Sequence, residues 1–335
     1  MNATSLKLQS LATCNNYYHT GQINKAISVL NQITKIFPDD TISKKILSSI
    51  FNSSIPLQDG IFLLSDKPSV ENDLSEIFGI NWNNESLENK SIMIFCDQGM
   101  GDTINLIRYL KFMKDKWNCE VFLNCYSYFD EMADLIKTCK YVDHFVKEYV
   151  KTDFHTNIMS VPSILNELDY EFHYPAHFKA LLKTEIPNDP YIQVESVNTP
   201  LKIGLAWKSN PKNTLGKDKS IELELFKEMN CSFYNLLPEK TDCDFLVQTH
   251  PITNLLDTAK VIANLDLVIS VDTVVLHLAG AMGKQVWGLL PEHADPRWGD
   301  NHETPWYPTM KLYRKTTDWR DLVKTVKEDL NTCLK

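Results

Sequence analysis

The stretch ISVDTVVLHLAGAMGKQVWGLLP, Ile269 to Pro291, decides how the rest of the chain is read. An apolar run ends at Ser270 and is followed at once by Val-Asp-Thr. A short apolar segment carrying His277 comes next, then the small residues Ala279, Gly280, Ala281 and Gly283, then a second apolar run, QVWGLL. Two short apolar runs separated by about fifteen residues of helical character read as a β-α-β unit with parallel strands. Small residues let the connecting helix lie close on the sheet. Asp272 or Thr273 caps that helix, whose unpaired N–H groups and dipole are a ready place for an anion. His277 lies four residues after Thr273, so the two face the same way. Read from the residues alone, His277 is either a packed core histidine or part of a site.

The same alternation extends on both sides. In the second half, LKIGLAW (201–207) predicts a strand, SIELELFKEM (220–229) a helix, DFLVQT (244–249) a strand, LLDTAKVIAN (255–264) a helix and DLVIS (266–270) a strand. TTDWRDLVKTVKEDLNTCL (316–334) predicts an amphipathic closing helix. In the first half, SIMIFC (91–96), CEVFLNC (119–125) and YVDHFV (141–146) predict strands. Helices fall at 102–114 and 130–139, and 155–165 reads as less regular. Between the halves, TEIPNDPYIQVESVNTP (184–200) carries three prolines and reads as a linker. The expectation is an α/β protein with two Rossmann-like domains, whose default binding place is the cleft between the strands' carboxyl ends. In front, residues 7–52 carry helical spacing, and Tyr17, Gly21, Ala26, Leu30, Ile33 and Pro38 fit one tetratricopeptide-like (TPR-like) unit. The boundaries read from this pass are 1–55 for the helical segment, 56–195 for the first Rossmann-like domain and 196–335 for the second.

The formal net charge is −9, which disfavours polyanionic partners, so nucleic acid is not expected. No apolar run approaches the ~18 residues of a membrane span. The N-terminal residues lack a secretory apolar core, so a cytoplasmic location is expected. The eight cysteines show neither a CxxC pair nor a Cys-His spacing, and read as reduced thiols. No metal site is expected: His173 and His177 are four apart, but Pro175 between them argues against a helical ligand pair.

Three stretches carry chemistry. With only 11 glycines in the chain, the pair in DQGMGDT (97–103) marks a tight strand-to-helix turn. It is half of a dinucleotide fingerprint, too little for that assignment. Asp102 there reads as a helix cap or as a carboxylate that accepts a proton from a hydroxyl. The loop GLAWKSNPKNTLGKDKSI (204–221) places Lys208, Lys212, Lys217 and Lys219 after a strand, a candidate phosphate clamp of which one or two lysines would serve. The third stretch is the opening one.

Taken in order, these stretches resemble bacterial TPR-linked glycosyltransferases. DQGMGDTINLIRYL, HTNIMSVPSIL, IGLAWKSNP…DKSI, DTAKVIANLDLVISVDTVVLHLAGAMGKQVWGLLP and RWGDNHETPWYPTMKLYRK each look like a segment of that group, over roughly residues 90–335. The group is similar to the heptosyltransferases of glycosyltransferase family 9, which have the GT-B fold. The resemblance implies an inverting, metal-independent transfer of a sugar from a nucleotide-activated donor to a hydroxyl of a glycan, lipid-linked glycan or protein, with no cofactor. It implies acceptor binding in the first domain and donor binding in the second. Asp102 matches the proposed general base. Lys208, Lys219, Asp272, Thr273, His277 and Gly280 fall on the donor side, and Gln98, Gly99, Gly101, His155 and Ser160 on the acceptor-side loops. A protein partner could dock on the TPR-like segment. The sequence departs from the group at Lys208, Leu276 and Gln285, and FYNLLPEK (233–240) replaces its usual donor-side stretch. A catalytically silent GT-B scaffold, and a GT-B epimerase or phosphorylase-type enzyme, are the competing readings.

Overall fold

The computed structural model describes residues 80–96, 99–125, 128–148, 150–165, 202–209, 216–229, 231–249, 251–298, 301–304 and 306–333, with isolated helical positions between 10 and 36. The TPR-like unit as a unit, the linker at 184–200, His173, His177, Gln98 and Lys212 lie outside the described residues.

Two parallel sheets form the frame. The first half runs β1 (Ile80–Asn81), β2 (Ser91–Phe95), α1 (Met100–Leu106), a 3-10 turn, α2 (Leu110–Trp117), β3 (Glu120–Asn124), α3 (Phe129–Ile136), β4 (His144–Val146), β5 (Phe154–Asn157), a 3-10 turn (Ile158–Ser160) and α4 (Val161–Ile164). Its strand order is β1-β5-β2-β3-β4. The second half runs β6 (Ile203–Ala206), α5 (Gly216–Lys219), a 3-10 segment (Leu223–Met229), β7 (Phe233–Asn235), β8 (Leu246–Val247), α6 (Leu255–Ala263), β9 (Leu267–Val271), α7 (Val274–Ala281), β10 (Gln285–Leu290), β11 (Met310–Arg314) and α8 (Trp319–Cys333). Its strand order is β11-β10-β9-β6-β7-β8, parallel throughout.

Most elements fall where apolar periodicity puts them, and the departures have physical causes. Segment 155–165 begins with a full strand, β5, inserted between β1 and β2. Its burial alternates, but the inward residue after Phe154 is Thr156, 1% exposed, so the face is buried without being apolar. The predicted helix at 220–229 is a 3-10 segment that buries Leu223, Phe226 and Met229. β7 and β11 were not anticipated: FYN is three residues long, and MKLYR carries charges at both an outward position and its end.

The opening stretch forms the expected β9-α7-β10 unit. Helix α7 is buried continuously from Val275 to Ala281, as an apolar-all-round helix must be. It ends in a Schellman cap: Gly283 takes φ 66, its N–H bonds Gly280 O, and the Lys284 N–H bonds Ala279 O. The Lys284 ammonium then donates to Ala263 O and Leu265 O, which ties the end of α6 to the same corner.

The two halves share one core. A single apolar cluster runs from Ile92, Ile104 and Met113 in the first half to Ala259, Leu276 and Leu312 in the second. Helix α1 packs on α7, and α3 packs on α6. A second cluster under α8 holds Phe226, Ile269, Leu289 and Val326 on the other face of the second sheet.

Gly280 shows how tight the seat of α7 is. A Cβ there would stand 2.6 Å from the Tyr307 ring, which is fully buried. Gly280→Ala is expected to cost about 1–3 kcal/mol as an overpacking change, read as a lower midpoint in denaturant unfolding with an unchanged slope.

Candidate functional site

Asp102 sits on the third residue of α1, just past the carboxyl end of β2. The N-cap of that helix is Gly99, in extended backbone, so the expectation that Asp102 itself caps the helix is corrected. Its Oδ2 reaches back to accept the Gly99 N–H at 3.1 Å, the N3 half of a capping box. Its Oδ1 points across the cleft to the Arg297 guanidinium, at 2.5 Å. Arg297 follows β10 in the second half, so this ion pair joins the two domains.

Arg297 is held by a second carboxylate. Asp295 accepts from its Nη2 at 3.2 Å and from its backbone N–H at 3.0 Å, and the Asp295 Oδ1 forms an ion-pair contact with its Nε at 3.2 Å. Burial works against a charged guanidinium, but Asp295, Asp102 and Asp272 outweigh it and raise its pKa well above the usual value. For Asp295, burial would raise the carboxyl, yet Arg297 prevails and brings it down to about 2. Both groups are therefore ionised across the physiological range.

The second ion pair is Lys219 with Asp272, 2.6 Å, with side chains 12% and 7% exposed. Asp272 follows β9, and Lys219 ends the short α5 after β6 and its loop. Thr273 is the N-cap of α7, its hydroxyl accepting the Val275 N–H at 3.3 Å. One turn on, His277 is buried against Trp298, with ring centroids 5.2 Å apart and stacked. Its Nδ1 meets the Tyr307 hydroxyl at 2.9 Å. Desolvation, then Arg297, lowers the His277 pKa to about 4, so the imidazole is neutral at pH 7. The Cδ2–Nε2 edge lies against Gly101, where a Cβ would stand 2.6 Å from Cδ2. That position admits glycine because the ring occupies the space.

The sequence-predicted residues separate into groups. Asp102, Gly99, Gly101, Lys219, Asp272, Thr273 and His277 gather around the contact of α1 with α7. Lys208 pairs instead with Glu239 at 2.9 Å, and the pair is about half exposed. Gly280 is filled by the Tyr307 ring. His155 on β5 packs its ring edge-on to Phe95, and Ser160 is buried in the 3-10 turn that packs on α1. The side chain of Lys217 is not among those described. Among the described residues, no group of three His, Cys, Asp or Glu side chains could hold a metal ion.

Residues not singled out from sequence complete the site: Arg297, Asp295, Tyr307, Asn105 and Arg108. The Arg108 Nη2 donates to Asn105 Oδ1 at 2.7 Å and its Nη1 to Trp306 O at 3.0 Å. The Tyr307 hydroxyl is 3.2 Å from that same Asn105 Oδ1. The signal was present in RWGDNHETPWYP: Arg297 and Tyr307 meet α1, Trp306 meets Arg108 in the turn after it, and Trp298 stacks on His277.

Two outcomes follow. His277 titrates near 4 when folded and near 6.5 when unfolded, so the unfolded chain takes up the proton first. Stability should therefore fall as pH drops from about 6.5 to about 4, by roughly 3 kcal/mol in all; His277→Gln should flatten that limb in urea titrations at stepped pH. Arg297→Met strands Asp102 and Asp295. Being partly exposed, the cluster should lose an amount between the ~1 kcal/mol of a surface pair and the ~3–5 kcal/mol of a buried one, read as a lower unfolding midpoint at pH 7.

Residues 216–330 match the family described as glycosyltransferase family 9 (heptosyltransferase). No curated protein matches the chain. Among solved structures, E. coli heptosyltransferase WaaC with ADP aligns at 10% identity and a TM-score of 0.51, over 73% of this chain and 99% of that one. The glycosyl transferase family 9 structure from Veillonella parvula aligns at 10% identity and a TM-score of 0.47, over 73% and 93%. E. coli ADP-heptose lps heptosyltransferase II aligns at 10% and 0.45, over 73% and 98%. The two parallel-sheet halves have the fold of WaaC, and residues 216–330 are similar to the heptosyltransferases of glycosyltransferase family 9.

Proposed function

We propose that the chain transfers a sugar from a nucleoside diphosphate donor to a hydroxyl acceptor, with inversion and without a metal ion. The carrying observation is the convergence, at the carboxyl ends of β2 and β9, of a carboxylate from one half with cations and a helix N-terminus from the other. In the proposed step the acceptor oxygen attacks the anomeric carbon as its bond to the diphosphate breaks, through an oxocarbenium-like state. Asp102 takes the acceptor's proton. Lys219 and the N-terminus of α7 meet the charge that grows on the leaving diphosphate. Thr273 and Asp272 line the donor side, and Gly99 and Gly101 shape the loop from which the acceptor approaches.

ADP is the first nucleotide to try, because WaaC was solved with it. A ligand that binds only the folded chain raises its melting temperature by RT ln(1 + [L]/Kd), so thermal shifts with ADP, UDP, GDP and CMP rank the nucleotides. Asp102→Asn should lower transfer from the matching nucleotide sugar by about 100-fold or more while the nucleotide's thermal shift survives. Unchanged turnover would remove Asp102 from the role of base.

One observation favours a second reading, a silent GT-B scaffold that binds a nucleotide sugar or a protein. Both oxygens of Asp102 are engaged, one by Arg297 and one by the Gly99 amide. Nucleotide binding with no transfer or hydrolysis across a broad donor panel would select it.

A further inference from the structure

We infer that His277 presents a bare Nε2 lone pair to the cleft and accepts a hydrogen bond from a ligand hydroxyl, and that Arg108, Asn105 and Tyr307 fix it in that tautomer from across the domain boundary. The hydroxyl assignment rests on the nucleotide-sugar reading above; the tautomer does not.

The tautomer follows from counting protons. A guanidinium only donates, so the Asn105 atom 2.7 Å from Arg108 Nη2 is the carbonyl oxygen. A carbonyl oxygen only accepts, so the Tyr307 hydroxyl 3.2 Å away must give its single proton to it. The Tyr307 oxygen is then left with lone pairs facing His277 Nδ1 at 2.9 Å, and that contact is a hydrogen bond only if Nδ1 carries the proton. In the reverse arrangement, with Tyr307 donating to Nδ1, the Tyr307 and Asn105 oxygens would oppose each other lone pair to lone pair in a buried site. One arrangement makes every contact a hydrogen bond and the other loses one. Tyr307 keeps its proton at any ordinary pH, because burial pushes it up to about 12.

With the proton on Nδ1 and the ring neutral, Nε2 is an acceptor. Among the described residues it has no hydrogen-bond partner, and its edge of the ring faces Gly101, next to Asp102. The charged groups around the ring are Arg297, Asp272, Asp102 and Asp295; burial, and after it the first of these, holds the imidazole away from protonation. A phosphate oxygen, which only accepts, would be repelled by such an Nε2; a hydroxyl would donate to it. His277 therefore selects a hydroxyl, while charge on a diphosphate falls to Lys219 and the α7 N-terminus. Tyr307 is a positioning residue for this purpose.

The test is 15N-histidine NMR on the full chain. Nε2 couples to both ring C–H protons and Nδ1 strongly to one, so the spectrum shows directly which nitrogen is bare. The His277 signals are those missing from His277→Gln. Wild type at pH 7 should show a bare Nε2 and a protonated Nδ1. Tyr307→Phe should give a mixture or the reverse, and Asn105→Asp, which still accepts from both partners, should keep the wild-type pattern. A protonated Nε2 in wild type, or an unchanged pattern in Tyr307→Phe, overturns the relay, and the wild-type spectrum decides the tautomer even if a variant fails to fold. Three probes then test the ligand group. Inorganic pyrophosphate should leave Nε2 bare and in place. A displacement with ADP names a ribose hydroxyl, and one seen only with ADP-glucose names a sugar hydroxyl. Protonation of Nε2 by any probe, or a nucleotide that raises the melting temperature without moving Nε2, overturns the hydroxyl assignment. If no nucleotide raises the melting temperature, the nucleotide-sugar reading fails and takes the hydroxyl assignment with it, while the tautomer measured on the free protein stands or falls alone.

Discussion

The whole arrangement depends on the approach of α1 to α7, where the His277 ring fills the place a side chain at Gly101 would take. With any larger residue at 101 the helices would be forced apart, and Asp102 could not reach Arg297 while Tyr307 still reached Asn105. Close approach also dries the contact. That is why Asp102 and Asp295 stand against Arg297, Asp272 stands against Lys219, and Arg108 donates to Asn105 and Trp306, since an isolated buried charge is far more costly than a hydrogen-bonded one. Tertiary packing and site electrostatics are here one problem with one solution.

The fold was legible because its strands are short apolar runs and its helices amphipathic, the two patterns that burial imposes on an α/β sheet. The opening stretch shows this best: β9, α7, the cap at Thr273 and the closing turn at Gly283 all lie where the residues put them. Strand β5 did not announce itself, because the second residue it buries, after Phe154, is a threonine, and the residues beside that threonine are His155 and Asn157. A sheet position can be filled by a polar residue that finds a hydrogen bond, and hydrophobic periodicity is blind to that.

The site was legible in part. Asp102, Lys219, Asp272, Thr273 and His277 are charged or polar residues at strand ends, where parallel sheets put their ligands. Lys208 follows the same rule yet pairs with Glu239, so the rule nominates positions without choosing among them. Arg297, Tyr307 and Asn105 act by meeting a residue nearly two hundred positions or more away along the chain, and no local spacing encodes such a meeting. The glycines divide likewise. Gly283 is required by its backbone angle, whereas Gly101 and Gly280 are required by what lies opposite, which only the folded chain reveals.

The shared core has a consequence for recombination. Because Arg108 and Asn105 belong to one half and Trp306 and Tyr307 to the other, the halves are not interchangeable cassettes. A chimera that grafted a foreign donor half here to change the nucleotide would import the wrong counterpart for α1. To keep a working junction it would have to carry positions 101, 105 and 108 along with 277, 297 and 307, so the natural unit of exchange is the seam between the domains as much as either domain.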